Sequence, residues 1–135
     1  MDDIEEILRN SRTVAVVGAS PNEDRPSYRV FSYLKSQGYD VIPVNPACSE
    51  VLGETCYPDL LSLPRSVDVV DIFRHSEDVP PFVEQAIQIK AKVVWMQEGI
   101  VNEAAAQRAR QAGLKVVMDH CMRKEHLQLK ERQQG

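Results

Sequence analysis

The sequence predicts an α/β protein, a three-layer sandwich built on a parallel sheet of about five strands. Two observations carry this. Short β-branched runs alternate along the chain with longer segments of helical period, the pattern of strands joined by helical crossovers. The first strand run, TVAVV at residues 13–17, is a continuous apolar run, as expected for a strand covered on both faces. With 135 residues, the expected organisation is one domain over 1–135. That length holds a sheet with helices on both faces, but no second catalytic domain.

The elements follow in order. Ile4, Ile7 and Leu8 mark a short amphipathic helix. TVAVV is the first strand. A helix is expected from about Pro26 to Gln37, with Val30, Phe31 and Leu34 on one face and Gly38 ending it. VIPV at 41–44 is the second strand, and Pro43 places it at an edge because proline cannot donate to a ladder. Residues 47–63, punctuated by Gly53 and Pro58, admit a short strand and a short helix. VDVVDIF at 67–73 is the third strand. Val79, Phe82, Val83, Ala86 and Ile87 recur at helical spacing, with Pro80 and Pro81 in the first turn, where a missing N–H costs little. Val93–Met96 is the fourth strand, 101–112 an alanine-rich helix stopped by Gly113, and Lys115–Met118 the last strand. A polar helix then runs through Glu125 and Leu129 and frays into Gln133, Gln134 and Gly135.

Composition narrows the function. A net charge of −4 disfavours nucleic acid and anionic membranes as partners. No run of apolar residues is long enough to span a bilayer. The acidic start, Met1 to Glu6, lacks the positive, apolar character of a secretory leader, so a cytoplasmic location is expected. Cys48, Cys56 and Cys121 form no C-x-x-C and are expected to be reduced, mostly buried thiols. No metal-ligand spacing and no catalytic constellation is present. His75, His120 and His126 have no nearby nucleophile at a triad spacing, and Asp68 and Asp71 flank the third strand as a carboxylate pair without further support.

In parallel sheets ligands bind beyond the carboxyl ends of the strands, where strand order reverses. The informative residues are therefore Gly18, Ala19 and Ser20; Asn45 and Pro46; Phe73 and Arg74; Gln97, Glu98 and Gly99; and Asp119 and His120. Gly18 lets the backbone approach a ligand, and the N–H groups opening the next helix suit a phosphate. Pro26 fits the first helical position, Ser20 and Ser27 add hydroxyls, and Arg25 adds a cation. The loop is neither G-x-G-x-x-G, since Ser20 and Glu23 stand where glycines belong, nor a Walker A loop. The acid that NAD-binding proteins place after the second strand is replaced by Val44, Asn45 and Pro46. Arg25, Arg29 and Arg74 near the same edge suit a ligand with several phosphates, as coenzyme A has.

The run VAVVGASPNEDRPSYRVFSYLKSQGYDVIPVNP, continued through VLGETCYPDLLSLP, VDVVDIFR, VVWMQEGI and VVMDHCMRKEH, resembles the CoA-binding domain family. These are stand-alone relatives of the N-terminal domain of the succinyl-CoA synthetase alpha subunit. The resemblance spans roughly residues 4–127, and GAS, RPS, VNP and W-x-Q-x-G-I in that order make it specific. It implies a Rossmann-like fold holding coenzyme A. Gly18, Ala19, Ser20, Arg25 and Ser27 match the family's phosphate loop. Val44, Asn45 and Pro46 match the adenosine segment, Ile72, Phe73 and Arg74 the middle of the ligand, and Gln97, Glu98 and Gly99 the loop after the fourth strand. His120 departs from the pattern, where arginine is usual.

The function implied is non-catalytic binding of CoA or an acyl-CoA, since the synthetase's phosphorylated histidine lies in a domain absent here. Two alternatives stand beside it: an NAD(P)-binding oxidoreductase, and the CoA-binding subunit of a larger ligase. A second copy of the chain or a ligase subunit are the protein partners to expect, with the apolar residues of 47–63 as the surface. Cys121, at the ligand edge, is placed to form a mixed disulfide with the CoA thiol.

Overall fold

The computed structural model describes Asp2–Gln134. Helix α1 (Asp2–Asn10) leads into β1 (Thr13–Val17) and α2 (Pro26–Ser36). Strand β2 (Asp40–Val44) is followed by a hairpin of β3 (Glu50–Val51) and β4 (Glu54–Thr55) and a 3-10 turn at Leu60–Ser62. Then come β5 (Val69–Ile72), α3 (Val79–Gln88), β6 (Val93–Met96), α4 (Glu103–Gln111), β7 (Lys115–Val117) and α5 (Met122–Gln134). The main sheet has the order β2-β1-β5-β6-β7, and its pairings are all parallel. This is the Rossmann-like α/β architecture the sequence predicts.

Alternation along each strand divides the core in two. Val14, Val16, Val69, Val93 and Trp95 face α1, α2 and α5, meeting Ile7, Leu8, Phe31, Leu34, Met122 and Leu129. Ala15, Val17, Val70, Ile72, Val94 and Met96 face α3 and α4, meeting Val83, Ala86, Ala105, Ala106 and Ala109. The alanines of α4 let that helix lie close to the sheet.

Most elements fall where the sequence puts them, and the departures have local causes. Pro43 does sit in an edge strand, paired with Val16 through β1. On its outer side Tyr57 N–H donates to Pro43 O at 3.0 Å. The third strand is shorter than 67–73. The fourth helix begins at Glu103, not at 101, because Asn102 caps it by accepting from Ala105 N–H at 2.9 Å. The last strand ends at Val117. Segment 47–63 supplies both a hairpin and a helical turn. The final helix holds through Gln134, and Gly135 lies outside the described residues.

Asp68 and Asp71 do not form a pair. Asp68 lies at the amino end of the sheet and accepts from Arg12 N–H at 2.8 Å and Thr13 N–H at 3.1 Å. Against the cost of its burial, these bonds hold its carboxyl below the usual range. Asp71 is fully buried in β5, in register with Val16 and Trp95, and neither of its oxygens has a hydrogen-bond partner. Burial pushes this carboxyl well above its usual range.

A stability prediction follows with its sign worked out. Below about pH 4 the Asp71 carboxyl is protonated in both folded and unfolded chains. As pH rises, the unfolded chain releases the proton while the folded chain keeps it, so this group's contribution to stability falls. Asp71→Asn cannot ionise. Urea unfolding from pH 4 to 8 should show the variant gaining on the wild type at up to about 1.4 kcal/mol per pH unit. Parallel pH profiles would contradict the buried, protonated carboxyl.

Candidate functional site

A cleft of about 740 Å³ opens over the carboxyl ends of the strands. Gly18, Ser20, Arg25, Pro26 and Ser27 form one wall, and Asn45 borders it from the end of β2. Phe73 and Arg74, continuing into His75, Ser76 and Glu77, form its middle, and Gln97 to Ile100 the far wall. It lies where α2 leaves the sheet on one face and α3 on the other, the switch point of a doubly wound sheet.

Gly18 makes this meeting possible. Its φ is +87°, and a Cβ there would stand 2.7 Å from the carbonyl oxygen of Phe73. Its own N–H donates to Val44 O at 2.9 Å, while Phe73 N–H donates to Val17 O at 2.9 Å. The three strand ends are thus laced together by backbone alone.

The loop after Gly18 is shaped by short polar side chains. Ser20 Oγ accepts from Asn22 N–H at 3.1 Å, and Asn22 Oδ1 accepts from Asp24 N–H at 2.9 Å. Arg25 is the N-cap residue of α2, and no side chain caps that helix. Pro26 has no N–H, and the N–H groups of Tyr28 and Arg29 donate to Arg25 O at 3.0 and 3.4 Å, so Ser27, a lining residue, is left to offer the first-turn N–H at the cleft. Ser27 is buried at this helix start.

Asn45 holds the loop in place. Its Nδ2 donates to Ala19 O at 2.8 Å, and its Oδ1 accepts from Ala47 N–H at 2.9 Å. Both ends of the amide are engaged within the protein, so its evident work is to fix the loop.

The far wall is braced in the same manner. Gln97 is buried, and its Oε1 accepts from Met122 N–H at 3.1 Å, joining the β6 loop to α5. Gly99 N–H donates to Asp119 Oδ1 at 2.7 Å, with Asp119 itself at φ +61°. Glu98 pairs with Lys124 at 2.9 Å. Ser76 Oγ accepts from Val101 N–H at 3.0 Å, and Asn102 Nδ2 donates to Ser76 O at 2.9 Å. The middle and far walls are therefore one connected unit.

Charge is distributed unevenly. Arg25 and Arg74 line the cleft together with the α2 terminus, and Arg74 lies 5.9 Å over the Phe82 ring. Glu77, from the same middle segment as Arg74, and Glu98, on the far wall, also line the cleft. The wall with Arg25 and the α2 start suits an anion.

Several residues chosen from sequence do not line the cleft. Ala19, Val44 and Ile72 are buried in the core, so only their backbones stand near the site, and Pro46 is exposed outside it. Arg29 reaches away, donating to Asp24 O at 3.2 Å beside a separate groove with Tyr28, Ser32, Tyr33 and Arg123. His120 pairs with Glu125 at 3.2 Å, and its carbonyl accepts from the buried Trp95 Nε1 at 2.8 Å. Cys121 is buried outside the lining. Sequence reading missed Pro26, Ser76, Glu77 and Ile100 as lining residues and set His75 aside. Pro26 lies between Arg25 and Ser27, His75 next to Arg74 and Ile100 next to Gly99, so for these the signal was available in adjacency to residues already chosen. Ser76 and Glu77 lie further along the chain. Among the described residues no group of three or more His, Cys, Asp or Glu is arranged to hold a metal ion. No helix among them is long and apolar enough to cross a membrane.

Comparison with known proteins identifies the family of the chain. A family model described as the CoA binding domain matches residues 12–127. The chain is 40% identical over 124 residues to YneT of Bacillus subtilis (strain 168), covering 92% of each. It is 31% identical over 121 residues to the ADP-forming acetate–CoA ligase I of Archaeoglobus fulgidus, covering 82% of this chain but 18% of the ligase. Among solved structures, a protein of Pyrococcus horikoshii OT3 superposes with a TM-score of 0.93 at 46% identity, over 96% of this chain and 91% of that one. With its family model matched across nearly the whole length, the chain belongs to the CoA-binding domain family.

Proposed function

We propose that the protein binds coenzyme A or an acyl-CoA in this cleft, without chemistry of its own. The observation that carries the reading is the junction of Gly18 with Phe73 beneath an uncapped helix terminus. It brings the ends of β1 and β5 into backbone contact that a Cβ on Gly18 would disrupt, under a helix start with no side-chain cap. Phosphates meet Ser27 at the α2 start, Arg25 and Arg74 there. The cleft continues past the ends of β2, β1, β5 and β6, about 14 Å at ordinary strand spacing. That length suits an extended ligand with an anionic head and a neutral arm. Ser76, Gly99 and Gln97 lie along the part that would meet the amides of pantetheine.

Two features support binding without catalysis. Ser76 Oγ meets Val101 N–H, and no hydrogen bond links it to His75 among the described residues. The remaining polar groups of the far wall are engaged in holding loops together. An NAD(P) reading loses support because no acid follows β2 and Asn45 is committed to the loop. The ligase segment shared with Archaeoglobus fulgidus favours a second reading, a CoA-binding subunit docked on a partner chain. Leu52 and Leu61, exposed on segment 47–63, mark the surface for it. Copurification with a nucleotide-grasping subunit supports that reading, and a chain that emerges alone from its native extract counts against it.

Calorimetric titration tests the main reading. CoA should bind, and dephospho-CoA about 10–100-fold more weakly, as expected for losing charge-assisted bonds to arginine. Equal affinities, or tighter binding of NADPH than of CoA, would contradict it.

Glycine substitutions test the junction. Gly18→Ala places a methyl group against Phe73 O at a positive φ and should cost about 1–3 kcal/mol and abolish CoA binding. Gly53→Ala, at φ +81° with open space around it, should cost less and leave binding intact. Equal costs in urea unfolding would argue against the close approach.

A further inference from the structure

The hairpin after β2 carries a pair of thiols that the cleft does not use. Cys48 precedes β3 and Cys56 follows β4, and their Sγ atoms are 2.7 Å apart. Sequence reading treats the cysteines as mostly buried and unrelated. In the fold only Cys121 is buried, while Cys48 and Cys56 are half-exposed.

The hairpin itself brings them together. Glu50 pairs with Thr55 and Val51 with Glu54, and Cys56 N–H donates to Ser49 O at 2.9 Å. Its base is pinned to the end of β2, where Asn45 N–H donates to Tyr57 O at 2.9 Å and Cys48 N–H to Asn45 O at 3.3 Å. An ion pair between Lys35 and Glu54 ties β4 to α2. The sulfurs need to close by only about 0.7 Å to reach disulfide bonding distance.

We propose that Cys48 and Cys56 are a reversible redox couple that exchanges with small-molecule disulfides and closes a disulfide across the hairpin. The Cys48 thiolate attacks one sulfur of RSSR, forming Cys48–S–S–R and releasing RS⁻, which takes up a proton. Cys56 then gives its proton to solvent and attacks the Cys48 sulfur. This forms the Cys48–Cys56 bond and releases the second RS⁻, which is protonated in turn. Two protein thiols are oxidised, one small disulfide is reduced to two thiols, and nothing else is consumed.

The order of attack follows from the surroundings. Burial, together with the hydrogen bond and charge of Cys48, pushes the Cys56 thiol up to about 12, so Cys56 keeps its proton while Cys48 reacts. Capping Cys48 removes that charge and hydrogen bond, which eases proton loss from Cys56 for the second step and leaves burial as the remaining cause that raises its thiol. Cys121, buried away from the hairpin, takes no part. None of this rests on what occupies the cleft.

Peptide mapping of the whole chain tests the couple. The reduced protein is incubated with glutathione disulfide, then alkylated after unfolding. A Cys48–Cys56 cross-link is expected, with a loss of about 2 Da, an alkylated Cys121 and full reversal by dithiothreitol. The Cys56→Ser variant should instead retain glutathione on Cys48. Free alkylation of both hairpin cysteines in the wild type, glutathione lasting on either, or a link to Cys121 would overturn the proposal. The wild-type map decides the question even if the variant fails to fold.

Discussion

At the end of β1 the chain must turn into α2 on one face of the sheet, while the end of β5 turns toward α3 on the other. The two turns meet with Gly18 so close to Phe73 O that no side chain fits between them. Much of the site depends on that approach. It gathers the ends of β2, β1 and β5 by backbone hydrogen bonds. The loop that leaves Gly18 brings Arg25 and the start of α2 to the opening, where no side chain caps the helix. A larger residue would need to displace backbone, and the loop that Asn45 holds through Ala19 would shift with it.

The acidity of the whole chain and the anion preference of the cleft are compatible because charge is placed locally. Much of the protein's acid is committed elsewhere: Asp40 to Arg65, Glu84 to Arg108, Glu6 to Lys115. These exposed pairs add little stability, and they lie apart from Arg25 and Arg74. The start of α2 and Arg25 then favour an anion at one wall of the cleft, with Arg74 adding a cation in the middle and Glu98 an acid on the far wall.

The fold was legible because each strand is a short apolar run and each helix shows its period. The ends of the cleft were legible from the rule that ligands meet strand termini. Less legible was the direction of each side chain. A motif match names whole segments, but helices cover both faces of the sheet, so Val44 and Ile72 at the last positions of their strands are enclosed, while Arg74, past the end of β5, reaches the opening. His75 to Glu77 escaped because the strand-end reading stopped at Arg74, although the chain continues along the rim before α3 begins. The thiol pair was illegible for a different reason. Its closeness depends on the register of a two-residue hairpin in a stretch whose composition admits strand and helix alike. Asp71 reads as one of two carboxylates flanking a strand, and only the sheet register shows it enclosed between Val16 and Trp95.

The central claim is that this cleft is the seat of a CoA ligand. Backbone amide chemical shifts recorded by NMR during addition of CoA test it most directly, because they report ligand and place together. Shifts concentrated at Gly18, Ser20, Ser27, Phe73, Arg74 and Gln97 to Gly99, growing to saturation, are the predicted result. No saturable shifts, or shifts confined to the amino-terminal edge of the sheet around Arg12 and Asp68, would contradict it.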